Sequence, residues 1–155
     1  MEVLVRRACH DDAETLTKIA MLSKQSNGYD DAFMAACADE LLITPDLLDA
    51  HEYWVAEGHQ ICGFVCLEVD LDHSAGTVSS FFIDPAWQQR GIGRQLWQTI
   101  EASACEKGLK LLRLHSDPEA ENFYTGLGFS TIGRVPSGSI PGRTLPHMEM
   151  WLNSD

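Results

Sequence analysis

Hydrophobic and polar positions along the chain switch period several times, and each switch marks an element. Glu2 to Arg7 (EVLVRR) alternates, as a strand with one buried face does. A helical period follows: Ala13, Leu16 and Ile19 or Ala20 share a face, with Asp11 or Asp12 placed to cap the start. Asn27-Gly28 breaks that pattern. Phe33, Met34, Cys37 and Leu41 then predict a second helix from Asp30 to Leu41. Thr44-Pro45 has N-cap and N1 chemistry for a short helix over Asp46 to Ala50. Tyr53 to Glu57 and Ile61 to Asp70 are strand-like runs joined at Gly58-His59. Asp72 to Gly76 is a turn and Thr77 to Ile83 a fourth strand, so an antiparallel meander is expected.

In the second half, Ile92, Leu96, Ile100 and Ala104 fall on one face of a helix. It begins near Arg90 and stops at Gly108. Leu109 to His115 is a fifth strand. Strand, helix and strand over this distance form a crossover, so strands four and five should be parallel neighbours. Asp117-Pro118 opens another helix, with Ala120, Phe123, Tyr124 and Leu127 as its apolar positions and Gly126 and Gly128 near its end. Phe129 to Val135 is a sixth strand, Pro136 to Pro146 a Ser/Gly/Pro loop, and His147 to Leu152 a final strand. The order β-α-α-β-β-β-α-β-α-β-β is an α/β arrangement on a mixed sheet. With 155 residues, 45% of them hydrophobic, a single domain over 1–155 is expected.

Charge and cysteine content narrow the function classes. Twenty-three acids against 11 bases give a net charge of -12, which disfavours nucleic acid as a partner and tolerates a cationic substrate. No apolar run is long enough to span a membrane, and the N-terminus has no secretory pattern. Cys9, Cys37, Cys62, Cys66 and Cys105 make an odd set without a CxxC pair, which points to reduced thiols in the cytoplasm. Cys62 and Cys66 would share one strand face by period two. They have no partners at zinc spacing, so they are expected in the core and no metal is expected.

The chemistry concentrates in Ser79 to Trp97 (SSFFIDPAWQQRGIGRQLW): an apolar strand, a turn at Pro85, then a helix. Gly91 and Gly93 stand at the helix start, a poor place for glycine unless a ligand lies against the backbone. There the unpaired N–H groups of residues 91 to 94 and the helix dipole suit an anion. Arg90 and Arg94 flank the glycines, and no acid occurs between Asp84 and Glu101, so a phosphate or pyrophosphate is the expected guest. The pattern lacks the lysine of a P-loop and the third glycine of a dinucleotide fingerprint.

Gln88-x-x-Gly91-x-Gly93 resembles the Q/R-x-x-G-x-G/A signature of the GCN5-related N-acetyltransferase (GNAT) family. Asp117-x-x-Ala120-x-x-Phe123-Tyr124-x-x-x-Gly128-Phe129 resembles the family's N-x-x-A-x-x-[FL]-Y-x-x-x-G-F segment, with Asp117 where Asn is usual. The resemblance covers nearly the whole chain. It implies a mostly antiparallel mixed sheet flanked by helices, with strands four and five parallel and splayed apart. It also implies acetyl-CoA as cosubstrate. Phe81, Phe82 and Ile83 would pair with the pantetheine arm. Gln88, Gln89, Arg90, Gly91, Ile92, Gly93 and Arg94 would hold the pyrophosphate. Asn122 would supply the amide that Asp117 lacks, and Tyr124 would be the general acid as well as a cofactor contact.

Amide formation from a thioester needs a neutral amine, a polarised carbonyl and a protonated leaving thiol. A backbone N–H of Phe82 or Ile83 would serve the carbonyl. For the proton acceptor, Glu68, Asp70, Ser79, Tyr29 with Asp30, or water all stay open. His115 reads as a polar cap on its strand, with a place lining the cleft as the alternative, and Arg143 as a solvated hairpin residue, with binding of an acidic group of the substrate or cofactor as the alternative. Asp30, Asp31, Asp39 and Glu40 either line the acceptor side or form a solvated helix face. The expected activity is acetyl transfer to a primary amine, favouring a small molecule. A homodimer paired through C-terminal strands is compatible with the resemblance. The alternatives are a coenzyme A-binding module without turnover and, less well supported, a protein that binds ATP at the glycine turn.

Overall fold

The computed structural model describes residues 2–152. The strands are β1 (Leu4–Arg7), β2 (Glu52–Glu57), β3 (Ile61–Asp70), β4 (Ala75–Ile83), β5 (Leu111–His115), β6 (Ser130–Pro136) and β7 (Thr144–Trp151). The helices are α1 (Ala13–Gln25), α2 (Asp31–Leu41), α3 (Pro45–Ala50), α4 (Ile92–Glu106) and α5 (Glu121–Leu127). The strands form one sheet in the order β1-β2-β3-β4-β5-β7-β6. Every neighbouring pair is antiparallel except β4 and β5, which are parallel as the crossover requires.

Each face of the sheet buries one core. On one face α4 inserts Ile92, Leu96, Trp97, Ile100 and Ala104 against Val65, Leu67, Leu112, Leu114 and Met148, joined by Tyr124 and Phe129. On the other, Leu16, Ile19, Ala20, Met34, Cys37 and Leu41 from α1 and α2 cover Val55, Phe64 and Cys66. β3 lies between the two, and its first seven residues are all buried. That double coverage explains why its sequence is continuously apolar rather than alternating.

Two bulges decide what the sheet presents. Ala56 faces Gly63 and Glu57 faces Ile61, so Cys62 is an extra residue on β3. The extra residue breaks the period-two rule: Cys62 joins the α4 core and Cys66 the α1 core. The expectation that the two cysteines share a face is therefore wrong, although both are buried. Farther on, Cys66 faces Ser80 while Leu67 faces Val78, which leaves Ser79 as the extra residue of β4. The parallel ladder to β5 spans only Ala75–Leu111, Gly76–Leu112 and Thr77–Arg113. Beyond the bulge, β4 keeps β3 on one side and, among the described residues, has no strand on the other.

Several boundaries move for local reasons. The helix expected from Arg90 starts at Ile92, because Gln89 and Gly91 are both left-handed (φ 64° and 80°). Gly91 serves that backbone directly. The segment after Asp117 opens as a tight turn over Pro118–Ala120 before α5 begins. The last strand starts three residues before the expected His147, because Thr144 pairs with Pro136. Asp12 does not cap α1 with its side chain. Its carboxylate takes the Cys9 N–H (2.8 Å) and the Arg6 guanidinium (2.9 Å) instead.

Leu96 is fully buried beneath the α4 face. Leu96→Ala should cost roughly 2–5 kcal/mol, read by denaturant unfolding. A loss well under 1 kcal/mol would mean that α4 is not packed as described.

Candidate active site

The gap between β4 and β5 opens a cleft of about 810 Å³ that passes through the sheet plane. Its walls include Val78 to Ile83 of β4, the start of α4, Ala120, Phe123, Tyr124 and Leu127 around α5, and residues of α1 and α2. Phe81 packs towards the α4 core and Phe82 towards the α1 core. The cleft therefore joins the two faces of the sheet.

At one end lies the start of α4. Gln88, Gln89, Gly91, Ile92, Gly93 and Arg94 all line the cleft. The first bond of the helix runs from the Gln95 N–H to the Gly91 carbonyl (3.1 Å). The N–H groups of Ile92, Gly93 and Arg94 are thus left without helical acceptors, and the first turn carries no acid. An anion there would be held by those donors and the helix dipole. A Cβ at Gly93 would point at the Phe123 ring, 3.4 Å away, and narrow the passage. Arg90 lies over the Trp87 ring (5.1 Å to the centroid) and is not among the lining residues.

Tyr124 is 8% exposed and packs edge-on against Phe81, Phe123 and Phe129. Its hydroxyl has no hydrogen-bond partner among the described residues and is not sealed from the cleft. Burial, assisted by the charge of Asp117, raises its pKa, so the O–H stays protonated. Phe123, an apolar helix position in the sequence pattern, is 43% exposed and roofs the passage between Phe81 and Gly93. Asn122 is exposed and not among the residues that line the cleft.

Asp117 is instead the centre of a charge cluster. Its carboxylate accepts from the Glu119 N–H (2.9 Å), Lys24 (3.1 Å), the Tyr29 hydroxyl (2.9 Å) and Arg143 (3.4 Å). Arg143 also donates to the Tyr29 oxygen (2.6 Å) and lies over the Phe33 ring. Tyr29 and Phe33 stack at 4.0 Å. Burial works against ionising Asp117, but the Glu119 N–H, Lys24 and Tyr29 outweigh it and lower its pKa. These contacts overturn two expectations. Arg143 is not a solvated hairpin residue. Tyr29 is not a free base, since burial and Asp117 push its pKa up to about 12.

The other candidates separate clearly. Glu68 and Asp70 do not line the cleft: they face Thr77 and Ala75, where β4 and β5 are still paired. Glu68 lies 4.0 Å from His51, and Asp70 binds His73 at 2.8 Å. Asp30 caps α2 through the Phe33 N–H, and Asp31 accepts from Gln25. Of the four acids near α2, Glu40 alone lines the cleft, where it also accepts from the Ser139 hydroxyl (3.1 Å). Ser79 lines it through the bulge. His115, for which the sequence favours a strand cap over a place in the cleft, is a lining residue too. Its place at the end of β5, just past the last β4 pairing, was the available signal.

A family model described as an acetyltransferase (GNAT) domain matches residues 49–131, a little over half of the chain. The chain belongs to the GNAT acetyltransferase family. No curated protein sequence matches it. Solved structures share its fold. The PaiA N-acetyltransferase from Thermoplasma acidophilum, in complex with coenzyme A, aligns at TM-score 0.80 with 20% identity, over 97% of this chain and 99% of that one. The ribosomal-protein-S18-alanine N-acetyltransferase from Escherichia coli aligns at 0.70 with 17% identity, over 97% and 94%. Tetrahymena GCN5 aligns at 0.67 with 16% identity, over 100% and 98%. This GNAT protein is therefore an acetyl-CoA-dependent N-acetyltransferase, with acetyl-CoA as cosubstrate.

Asp117→Ala in this acetyltransferase leaves Lys24 and Arg143, both under 20% exposed, without their shared counter-charge. The expected loss at neutral pH is roughly 3–5 kcal/mol. Because the folded-state pKa is depressed, the contribution is present above the ordinary carboxylate range and lost as pH falls through the folded value. Melting curves of parent and variant should therefore converge on acidification. A constant gap at every pH would remove the electrostatic account.

Proposed function

We propose that this cleft transfers the acetyl group of acetyl-CoA directly to a primary amine, most readily that of a small molecule. The observation that carries the reading is the convergence of three features on one cleft. They are the unpaired edge of β4, the uncapped start of α4 and the open hydroxyl of Tyr124. In this reading the free backbone of Phe81, Phe82 and Ile83 pairs with the pantetheine arm. The N–H groups of Gly91 to Arg94, with Gln88 and Gln89, take the pyrophosphate, and Arg90 adds positive charge outside the cleft. An N–H of Phe82 or Ile83 stabilises the oxyanion. Tyr124 donates its proton to the departing thiolate.

The acceptor enters from the face covered by α1 and α2. There Ser23, Asn27, Glu40 and Leu145 narrow the cleft, and the Asp117 cluster ties three segments around it. Such a chamber suits a small amine better than an extended peptide. The Escherichia coli neighbour named for a ribosomal-protein alanine keeps a protein N-terminus as the contrasting acceptor to be tested. No described helix is long and apolar enough to cross a membrane. The free thiols fit the cytoplasm. Exposed Ile132 and Trp151 near the outer strands support a homodimer formed through them.

A thermal melt with acetyl-CoA tests the cosubstrate assignment, with ATP and NAD as controls. At about a hundredfold excess over the dissociation constant, stabilisation should be roughly 2.7 kcal/mol, or about 5–11 °C. An equal shift with ATP would overturn the assignment of the glycine turn. Tyr124→Phe should lower kcat about a hundredfold or more while acetyl-CoA binding holds. An unchanged kcat would remove Tyr124 as the acid.

A further inference from the structure

We infer that His115 is the group that accepts the proton of the attacking amine, with His147 and Glu149 placed behind it. The inference rests on the acetyl-transfer reading above and concerns the face of the sheet opposite Tyr124. On β5, Leu112 and Leu114 point into the α4 core, so Arg113 and His115 belong to the opposite face, which α1 and α2 cover. Tyr124 sits within the α4 core. The gap between the strands thus has a hydroxyl on one face and an imidazole on the other, both lining one cleft. An acyl carbon held in that gap would be attacked from the His115 face and would shed its thiolate towards Tyr124.

His115 is exposed and forms no hydrogen bond among the described residues, so its ring is free for a ligand. Its cross-strand partner is His147, with ring centroids 5.1 Å apart. His147 Nε2 lies 3.1 Å from the Glu149 carboxylate, which fixes the proton on that nitrogen. Nδ1 of His147 is then a buried lone pair without a partner among the described residues. The His115 ring lies beside this unsatisfied nitrogen, with no hydrogen bond between the two rings.

The surrounding groups set the protonation state. His147 and Glu149 come from β7, and Arg113 from the same strand. Asp117 and Glu119 come from the turn after β5, Lys24 from α1, Glu40 from α2 and Tyr124 from α5. Partial desolvation at the cleft, then His147 and Arg113, lowers the pKa of His115, which keeps the ring neutral and so able to accept a proton at neutral pH. In the step itself, the amine lone pair forms the C–N bond while the carbonyl pair moves to oxygen. The N–H proton passes to His115. The C=O bond re-forms as the C–S bond breaks, and Tyr124 protonates the sulfur. The proton on His115 then restores Tyr124 through solvent, so nothing is oxidised or reduced.

The test compares the parent with His115→Gln and His115→Ala, measuring thiol release from acetyl-CoA with trifluoroethylamine, benzylamine and butylamine across pH. Acetyl-CoA binding is measured alongside by thermal shift. In the parent, kcat/KM should fall on the acid side as His115 is protonated. His115→Gln should lose about a hundredfold in kcat and lose that acid limb, with the acetyl-CoA shift unchanged. Added imidazole should restore part of the rate of His115→Ala. A parental rate and pH profile in His115→Gln would overturn the assignment. Absence of turnover by the parent with acetyl-CoA bound would overturn it too, while leaving the cosubstrate site standing. Absence of the shift itself would instead fell the acetyl-transfer reading.

Discussion

The parallel ladder between β4 and β5 stops after Thr77 and Arg113, and beyond that point the facing edges of the two strands are left without a strand partner. Buried backbone N–H and C=O groups are costly to leave unpaired, so a sheet that opens in its middle must be completed by something. The extra residue at Ser79 bends β4 at the divergence. The two cores hold the gap open from opposite faces, with α4 on one side and α1 and α2 on the other. Without that divergence, the uncapped start of α4, the Tyr124 hydroxyl and His115 would share no space.

Electrostatics within the cleft runs against the composition. The chain carries a net charge of -12, yet its most buried ionic cluster gathers two cations around one carboxylate. The cluster reconciles the unusual Asp117 with its surroundings. An amide there would make fewer charge-assisted bonds, whereas the carboxylate joins α1, the segment leading to α2, the β5–α5 turn and the β6–β7 loop. Arg143 and Lys24 stack on Tyr29 and Phe33 as well, so their stems and charges are both used.

Legibility followed the range of the interactions. The glycine turn, the Asp117-Pro118 opening and the strand preceding them could be read because each depends on neighbours within a few positions. Tyr124 could be placed for the same reason, from its motif. The pairing of Tyr29 with Asp117 and Arg143 spans 88 and 114 positions, and no local pattern announces it. The bulge at Cys62 defeated the alternation rule, since one inserted residue moves every later side chain to the other face. Glu68 and Asp70 looked available as bases because their strand was right, but their position along it lies where the sheet is closed.

By itself, then, the sequence determined the order and kind of the elements, the crossover that makes β4 and β5 parallel, and the two motifs that identify the family. These depend on hydrophobic periodicity, turn chemistry and backbone conformation, all local. The family resemblance already implied that strands four and five part; the tertiary structure decided at which residue they do and which side chains meet in the opening. It put His115 in the cleft, took Arg143 and Tyr29 out of solvent, and set Asn122 and Arg90 outside. Those outcomes depend on register and chain closure, where a shift of one residue exchanges the two faces of a strand.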